Sequence, residues 1–330
     1  MPHALSRRRF IGITAAAAGL PLLPIAPARG EPSVRIWRGT ALGADAVLQV
    51  HHPDPQIADG LIQRCLAEVE RLEKIFSLYR PDSTIIRFNR NGRVEDPPMD
   101  FVRLLDTSAS ISRLTGGAFD PTVQPLWQLY MDHFVRSGGD PDGPNPADIA
   151  RALALVDHEA IEIGPALVRF RQKGMAITLN GIAQGYVTDR IVDLLQSEGV
   201  DRSLVDMGEI RAIGGQPGGG PWSIGLEDPM KPGRIAEHVA LENWAIATSG
   251  GYGFQFDAAG RFNHLLDPYT GASANRYRAV SVMASTATMA DALSTGFSAM
   301  PAERAEAIVK RFGLSARFVL ADRSVLRQAA

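Results

Sequence analysis

Residues 178–186 read Thr178-Leu179-Asn180-Gly181-Ile182-Ala183-Gln184-Gly185-Tyr186, a short segment that passes through two glycines into a helical pattern. We predict that a buried strand turns into a helix here. Glycine lets a ligand approach the backbone, and the N–H groups at the start of a helix attract an anion. The same pattern fits a tight strand-to-helix turn that needs glycine only for steric reasons, so both interpretations stay open.

On both sides of this stretch, predicted strands and helices follow each other without strict alternation. The predicted helices are Ile57–Phe76, Phe101–Leu114, Ala183–Ser197, Met289–Met300 and Ala302–Phe312, and the predicted strands are Val34–His51, Ala160–Ile163, Val168–Phe170, Ala176–Leu179, Val280–Ala284 and, as the last one, Ala316–Leu320. Residues 137–148 are almost all turn-forming and predict a surface loop ahead of another helix. This mixture favours an α+β fold with mixed or antiparallel sheets and packed helices over a doubly wound sheet.

The composition is that of a globular protein with a large core. The chain has 330 residues, 45% of them hydrophobic, and a formal net charge of −2. This charge gives no indication of a nucleic-acid surface. The single cysteine, Cys65, excludes an internal disulfide and any metal site built from several cysteines.

The N-terminal segment has the features of an export signal. Arg7-Arg8 precede an apolar stretch from Ile13 to Ile25, and Ala26-Pro27-Ala28 follows as a small-residue cleavage site. A membrane span needs roughly 20 consecutive apolar residues, and this stretch is shorter. We predict a twin-arginine signal peptide over residues 1–28, a single domain over residues 29–330 and a periplasmic location.

An acid and a hydroxyl lie four residues apart in the segment Met289–Thr295. On a helix, Asp291 and Thr295 would share one face. A hard cation such as Mg²⁺ could use both oxygens. The alternative is a capping box, with Thr288 as the N-cap and Asp291 at the third helical position.

The segment Asn263–Gly271 brings a histidine and an aspartate to a turn that contains proline and glycine. His264 is the best candidate to accept a proton, because an unperturbed histidine titrates near neutral pH, and Asp267 could share that role. In the alternative, His264 is a structural hydrogen-bonding residue and Asp267-Pro268 is only turn chemistry.

The order of these segments along the chain resembles the ApbE family of FAD:protein FMN transferases. The matching segments are Arg38–Thr40, Phe76–Tyr79 with Asp82-Ser83 and Phe88-Asn89, Gly117–Asp120, Gly181–Tyr186, Asp206–Glu209, Ala247–Gly250, His264–Gly271 and Ala290–Thr295. Each motif alone is weak, but eight in the same order are hard to obtain by chance. The resemblance implies an α+β fold with FAD held between the glycine-rich turns.

By position, the resemblance implies two sets of site residues. The FAD site would be lined by Arg38, Tyr79, Ala118, Phe119, Asp120, Thr178, Gln184 and Leu265, and Mg²⁺ would be held by the Gly181 carbonyl, Asp291 and Thr295. The family usually has an aspartate and a lysine where this chain has Thr178 and Gln184. With the twin-arginine segment, this version of the turn is similar to the NosX-like branch associated with nitrous-oxide respiration.

The implied reaction transfers FMN from FAD to a Ser or Thr hydroxyl of an acceptor protein, such as a membrane-bound electron-transfer subunit. A metal on the FAD diphosphate would neutralise charge while the hydroxyl attacks the FMN-side phosphorus and AMP leaves. An FAD pyrophosphatase, or an FAD carrier without catalysis, would carry much the same sequence features.

Overall fold

The computed structural model describes residues 33–136, 139–231 and 233–329, so the predicted signal peptide lies outside the described residues. The chain begins with a hairpin of β1 (Ser33–Ala41) and β2 (Ala44–His52). Its two-residue turn, Leu42-Gly43, has positive φ at both positions, 48° and 86°. The prediction of one strand over Val34–His51 was therefore wrong, because this turn lacks the Asn-Gly signature of such hairpins.

Eight α-helices lie within the described residues. They are α1 (Pro55–Phe76), α2 (Thr84–Asn91), α3 (Met99–Leu114), α4 (Gln124–Met131), α5 (Pro146–Leu153), α6 (Ala183–Ser197), α7 (Ala287–Ala299) and α8 (Ala302–Phe312). A π-helical turn, Asp132–Arg136, extends α4. In the described part of the predicted loop, residues 139–145 are irregular, and α5 follows as expected. None of the described helices has both the length and the apolar content of a membrane span.

The remaining strands are β3 (Arg93–Glu95), β4 (Ile161–Ile163), β5 (Leu167–Phe170), β6 (Ser203–Asp206), β7 (Ile210–Ile213), β8 (Trp222–Glu227), β9 (Ile235–Leu241), β10 (Ala245–Ser249), β11 (Tyr277–Ala284), β12 (Ser315–Leu320) and β13 (Val325–Ala329). An eight-stranded sheet has the order β1-β2-β6-β7-β10-β11-β12-β13, beside sheets β3-β5-β4 and β8-β9. Every pair is antiparallel. The fold is therefore α+β, as predicted.

Three hydrophobic clusters fill the interior formed by the described residues. The largest packs one face of the main sheet against α1, α3, α6 and α7. The second fills the space between the other face of that sheet and the β8–β9 hairpin. The third, which we name the aromatic cluster, joins Leu126 and Tyr130 of α4 to Phe256 and Leu266 of the loop between β10 and β11. The main cavity is lined by residues from both the first and the third cluster.

Two strand predictions fail for identifiable reasons. Residues 176–179 form no strand, because the Asn89 side chain takes both backbone groups of Ile177, at 2.8 Å each. The hydrogen bonds that a neighbouring strand would make with Ile177 are thus made by a side chain. The strand predicted at Ala316–Leu320 is not the last one. The chain continues into β13, which pairs with it and forms the edge of the main sheet.

Candidate active site

A cavity of about 630 Å³ lies between the start of α6, the face of α7, helix α4 and the loop between β10 and β11. This volume is in the range of cofactor and ligand sites. Seven of the eight residues predicted for the FAD site line it, as do all three predicted metal ligands and His264: Tyr79, Ala118, Phe119, Asp120, Thr178, Gln184, Leu265, Gly181, Asp291 and Thr295. Residues from most of the matching segments therefore meet in one place.

The two glycines of the opening stretch permit close contact between the start of α6 and α7. A Cβ on Gly185 would lie 2.3 Å from the Ala287 carbonyl oxygen, and one on Gly181 would lie 2.8 Å from Thr295 Oγ1. Neither contact leaves room for a side chain. The steric interpretation of the glycines is correct at both positions, while Gly181 also lines the cavity.

Asp291 caps helix α6 from the neighbouring helix. The Gly185 N–H donates to Asp291 Oδ2 at 3.0 Å, and no side chain of α6 caps its own N-terminus. The sequence suggested that N–H groups at the start of α6 could bind an anionic ligand, but the Gly185 N–H is already hydrogen-bonded to this carboxylate. The remaining Asp291 oxygen is not committed to that hydrogen bond, and the residue lines the cavity.

The capping-box alternative for Asp291 was wrong. Thr286 is the N-cap of α7 and accepts from the Met289 N–H, two residues before the position that the sequence suggested. Thr288 lies inside the helix, and its hydroxyl donates to Asp189 at 2.5 Å. Asp291 is only 3% exposed and does not cap its own helix.

Two buried carboxyl groups, Asp291 and Glu209, line this part of the cavity, and the half-buried Asp206 lies near Glu209. Burial raises the pKa of Asp291 to about 7; the Gly185 N–H opposes the shift and the Asp189 charge adds to it. The pKa of Glu209 is also raised, first by burial and then by the charges of Asp291 and Asp206. Burial likewise raises the pKa of Asp206 to about 7. A cation bound here would relieve this repulsion.

Thr295 lies one helical turn beyond Asp291, and its hydroxyl is held by Ser249. The Ser249 Oγ lies 3.2 Å from Thr295 Oγ1 and 2.7 Å from Ser294 Oγ. Carboxylate, hydroxyl and carbonyl oxygens are the ligands that Mg²⁺ takes in proteins. Within the described residues, no group of three or more His, Cys, Asp or Glu side chains could hold a metal. The Gly181, Asp291 and Thr295 set is of a different kind, because it combines one carboxylate with a hydroxyl and a backbone carbonyl.

His264 lies half-buried in the cavity wall with one ring nitrogen committed. Its Nδ1 lies 3.1 Å from the Phe254 carbonyl oxygen. Because a carbonyl can only accept, Nδ1 carries the proton and Nε2 has the free lone pair. Burial lowers the pKa of His264, and the Phe254 hydrogen bond opposes the shift. The neutral imidazole that results can accept a proton at Nε2.

Two predicted site residues are placed elsewhere. Asp267 does not line the cavity; its carboxylate accepts from the Tyr269 and Thr270 N–H groups at 2.8 and 3.4 Å, as the turn alternative expects. Arg38 is exposed on β1, opposite Val47. Strand alternation puts it on the sheet face under the β8–β9 hairpin, where it lines a small separate cavity with Asp206.

Asp120 lines the cavity, but its carboxylate is occupied by structural partners. Oδ1 accepts from the Thr122 N–H and hydroxyl at 2.8 and 2.5 Å. Oδ2 lies 3.2 Å from the His158 N and 3.1 Å from its Nδ1. The hydrogen bond to Asp120 raises the pKa of His158. Asp120 therefore anchors the segment that leads into α4.

Sequence reasoning missed three features of the site. Glu209 was quoted within a motif but given no role, although its burial, together with two acids nearby, raises its pKa. His158 belongs to no motif. Helix α4 was not predicted at all, although its spacing of Leu126 and Tyr130, which are both buried, carries a helical signal.

The sequence is similar to those of known proteins over most of its length. The sequence model of the ApbE family matches residues 40–318. The FAD:protein FMN transferase of Haemophilus influenzae is 29% identical, with 95% of this chain and 93% of that protein covered. The one from Vibrio cholerae O395 is 32% identical, with 82% of each chain covered.

Solved structures show the same fold. The apo flavinyl transferase ApbE of Pseudomonas stutzeri has a TM-score of 0.75 and 27% identity, covering 92% of this chain and 97% of that chain. The ApbE protein of Thermotoga maritima has a TM-score of 0.77 and 27% identity, covering 90% and 97%. These similarities do not support the nitrous-oxide branch in particular. The family match over most of its length establishes that this chain belongs to the ApbE family.

Proposed function

We propose that this protein transfers the FMN half of FAD to a Ser or Thr hydroxyl of an acceptor protein and releases AMP. The observation that carries the proposal is the cavity itself, which gathers the segments shared with the family around an oxygen-rich cluster at the start of α6. Relatives that match nearly the whole chain are named FAD:protein FMN transferase.

Mg²⁺ fits the oxygen cluster. The Gly181 carbonyl, Asp291 and Thr295 would hold it, and their donor chemistry and the burial that raises the pKa of Asp291 support this assignment. When bound, Mg²⁺ supplies charge neutralisation to the FAD diphosphate.

The chain's own residues then supply orientation and a proton acceptor. The acceptor hydroxyl oxygen forms a bond to the FMN-side phosphorus while the bond from that phosphorus to the AMP phosphate oxygen breaks. The hydroxyl proton passes to His264 Nε2, which the Phe254 carbonyl leaves free to accept. AMP leaves with the bridging oxygen, so atoms and charge balance.

The test is mass spectrometry of an acceptor protein after incubation with this enzyme, FAD and Mg²⁺. We expect the acceptor to gain one FMN, and to lose that gain when its modified Ser or Thr is replaced by alanine. Free FMN with AMP and no modified acceptor would instead identify a pyrophosphatase. Retained FAD without AMP would identify a carrier.

The location of the reaction is a separate part of the proposal. The twin-arginine segment supports export to the periplasm, where an acceptor would be an exported or membrane-bound electron-transfer protein. Replacing Arg7 and Arg8 by lysine should hold the precursor in the cytoplasm, and unchanged delivery would contradict this route.

A further inference from the structure

Helix α4 packs two buried side chains into the aromatic cluster and lines the cavity with three others. Leu126 and Tyr130, four residues apart, are 0% and 2% exposed and pack into the aromatic cluster. Gln124, Trp127 and Gln128, at spacings of three and four, line the cavity. We name these three residues, with Phe254, the α4 wall.

The indole of Trp127 is held in a fixed orientation by two phenylalanines. Its ring is stacked with Phe254 at 6.2 Å between centroids and 30° between planes, and it meets Phe256 edge-on at 5.9 Å. The side chain is only half-buried, and it borders the cavity. A large flat surface of this kind, with one side packed, is suited to stacking on a planar ring.

The segment that leads into α4 is itself anchored. The Asp120 carboxylate binds Thr122 and His158, and the Thr178 N–H donates to the Pro121 carbonyl at 2.8 Å. These contacts fix the start of α4 relative to the opening stretch at the α6 N-terminus. The position of Trp127 is therefore set before any ligand binds, which lowers the cost of ordering it.

Gln124 and Gln128 line the cavity beside the indole, and Gln128 offers a hydrogen-bond acceptor for the edge of a ring. The Gln128 Nε2 donates to Asp132 at 2.9 Å, and this hydrogen bond leaves Gln128 Oε1 as an acceptor. The exocyclic amine of adenine and the ring N–H of a flavin are both donors that an amide oxygen can accept. The α4 wall thus combines a stacking surface with a hydrogen-bonding amide.

The cavity has a second apolar wall that is built on a different core. Leu78 and Ile86 line it and pack against the main cluster, with Tyr79 beside them. A dinucleotide has two flat rings joined through its diphosphate. A cavity with two separate walls therefore fits a dinucleotide better than it fits a mononucleotide.

We propose that Trp127 is a specificity-determining residue that stacks on one of the two heteroaromatic rings of the dinucleotide, with Gln128 at the edge of that ring. This inference rests on the proposed function for the identity of the dinucleotide. It adds a residue that lies outside the eight matching segments of the sequence.

The experiment measures dissociation constants for FAD, FMN and AMP in wild type, Trp127→Ala and Trp127→Phe. Removing one stacking partner of a base weakens binding by about 5- to 150-fold. We expect Trp127→Ala to show that loss for FAD and for only one mononucleotide, and Trp127→Phe to recover most of it. The mononucleotide that loses affinity identifies the ring.

Leu129→Ala is the matched control. Leu129 lies on the same helix and packs against the aromatic cluster but does not line the cavity. We expect it to lower the melting temperature while leaving all three dissociation constants within about twofold of wild type.

Two results would overturn the inference. One is an FAD affinity of Trp127→Ala within about twofold of wild type. The other is an equal loss in Leu129→Ala, which would mean that the packing of α4 matters and stacking does not. Transfer assays separate this inference from the proposed function: a wild type that binds FAD through Trp127 but modifies no acceptor would refute only the latter.

Discussion

The start of α6 and the face of α7 meet through contacts between two regular helices, whereas the α4 wall depends on an aromatic cluster built largely from an irregular loop. In the first region, which we name the α6–α7 pole, Gly181 and Gly185 contact Thr295 and Asp291 from two short segments that lie more than a hundred residues apart. In the second, which spans a similar distance along the chain, Tyr130 of α4 packs on Phe256 and Phe262 of the loop between β10 and β11.

The two regions also differ in the chemistry they offer. The α6–α7 pole concentrates oxygen ligands and buried negative charge, and the α4 wall offers a planar surface and neutral amides. Together the two proposals imply a division of labour in which the pole holds the reacting diphosphate and the wall binds one ring. Variants on the two sides should therefore separate rate from affinity.

The largest effect is expected at the pole. Asp291→Asn should abolish Mg²⁺-dependent transfer, because it removes the only charged ligand of the proposed Mg²⁺ set. The melting temperature should stay the same or rise, because the asparagine oxygen can still accept from the Gly185 N–H while a buried charge is removed.

Thr286→Ala is the control for this change, because Thr286 is the actual N-cap of α7. It should lose about 1 kcal/mol of unfolding free energy with near-normal transfer. An Asp291→Asn enzyme with full turnover would remove Asp291 from the metal site.

A smaller effect is expected at His264, which hydrogen-bonds to the Phe254 carbonyl on the side of the α4 wall. General-base assistance contributes about 10²- to 10⁴-fold, so His264→Ala should depress the rate by such a factor at saturating FAD. FAD affinity should change little.

The pH profile gives a second readout for the same residue. Because burial lowers the pKa of His264, the wild-type rate should rise with pH through a value below the usual 6.5 and then level off. The variant should lack that rise. A rate within a few-fold of wild type would mean that another group takes the proton.

Much of the fold could be predicted from sequence where the signal is local. The bounds of α6 and α8 agree with the predicted ranges, because the apolar spacing is helical there and a glycine with positive φ, Gly199 or Gly313, follows the last turn. The predicted N-cap of α7 was two residues too late, because Thr286 and Thr288 are equally good N-cap residues when the sequence is considered alone. The choice depends on Asp189, which binds the Thr288 hydroxyl from α6.

Other features could not be predicted because their partners are distant in sequence. Residues 176–179 have an apolar pattern typical of a strand, yet the Asn89 amide satisfies Ile177 from 88 positions away. Family resemblance predicted Asp291 and Thr295 as site residues, and both line the cavity. Trp127 and His158 belong to no motif, and their positions follow from the packing of α4 and from the Asp120 carboxylate.

The smallest effect concerns the anchor of the α4 wall. The folded-state pKa of His158 is raised by its hydrogen bond to Asp120, so this pair contributes stability below pH 6.5 that is lost as pH rises through the folded pKa. We expect His158→Gln to cost about 1 kcal/mol of unfolding free energy at pH 5.5 and less at pH 8.5.

Urea unfolding of both proteins at the two pH values measures this difference, and the comparison cancels the pH dependence of the other buried acids. A gap between wild type and variant that widens towards high pH would contradict the sign of the coupling. FAD affinity should fall modestly in the variant, because Asp120 and His158 hold the segment that leads into α4.

The most direct test is a crystal structure of this protein with FAD and Mn²⁺ in place of Mg²⁺, with the ion located by its anomalous signal. We predict a peak about 2 Å from oxygens of Asp291 and Thr295, in contact with the FAD diphosphate, and one ring of FAD on the Trp127 indole. FAD bound in the cavity with no peak at Asp291, or FAD bound outside the cavity, would contradict the account.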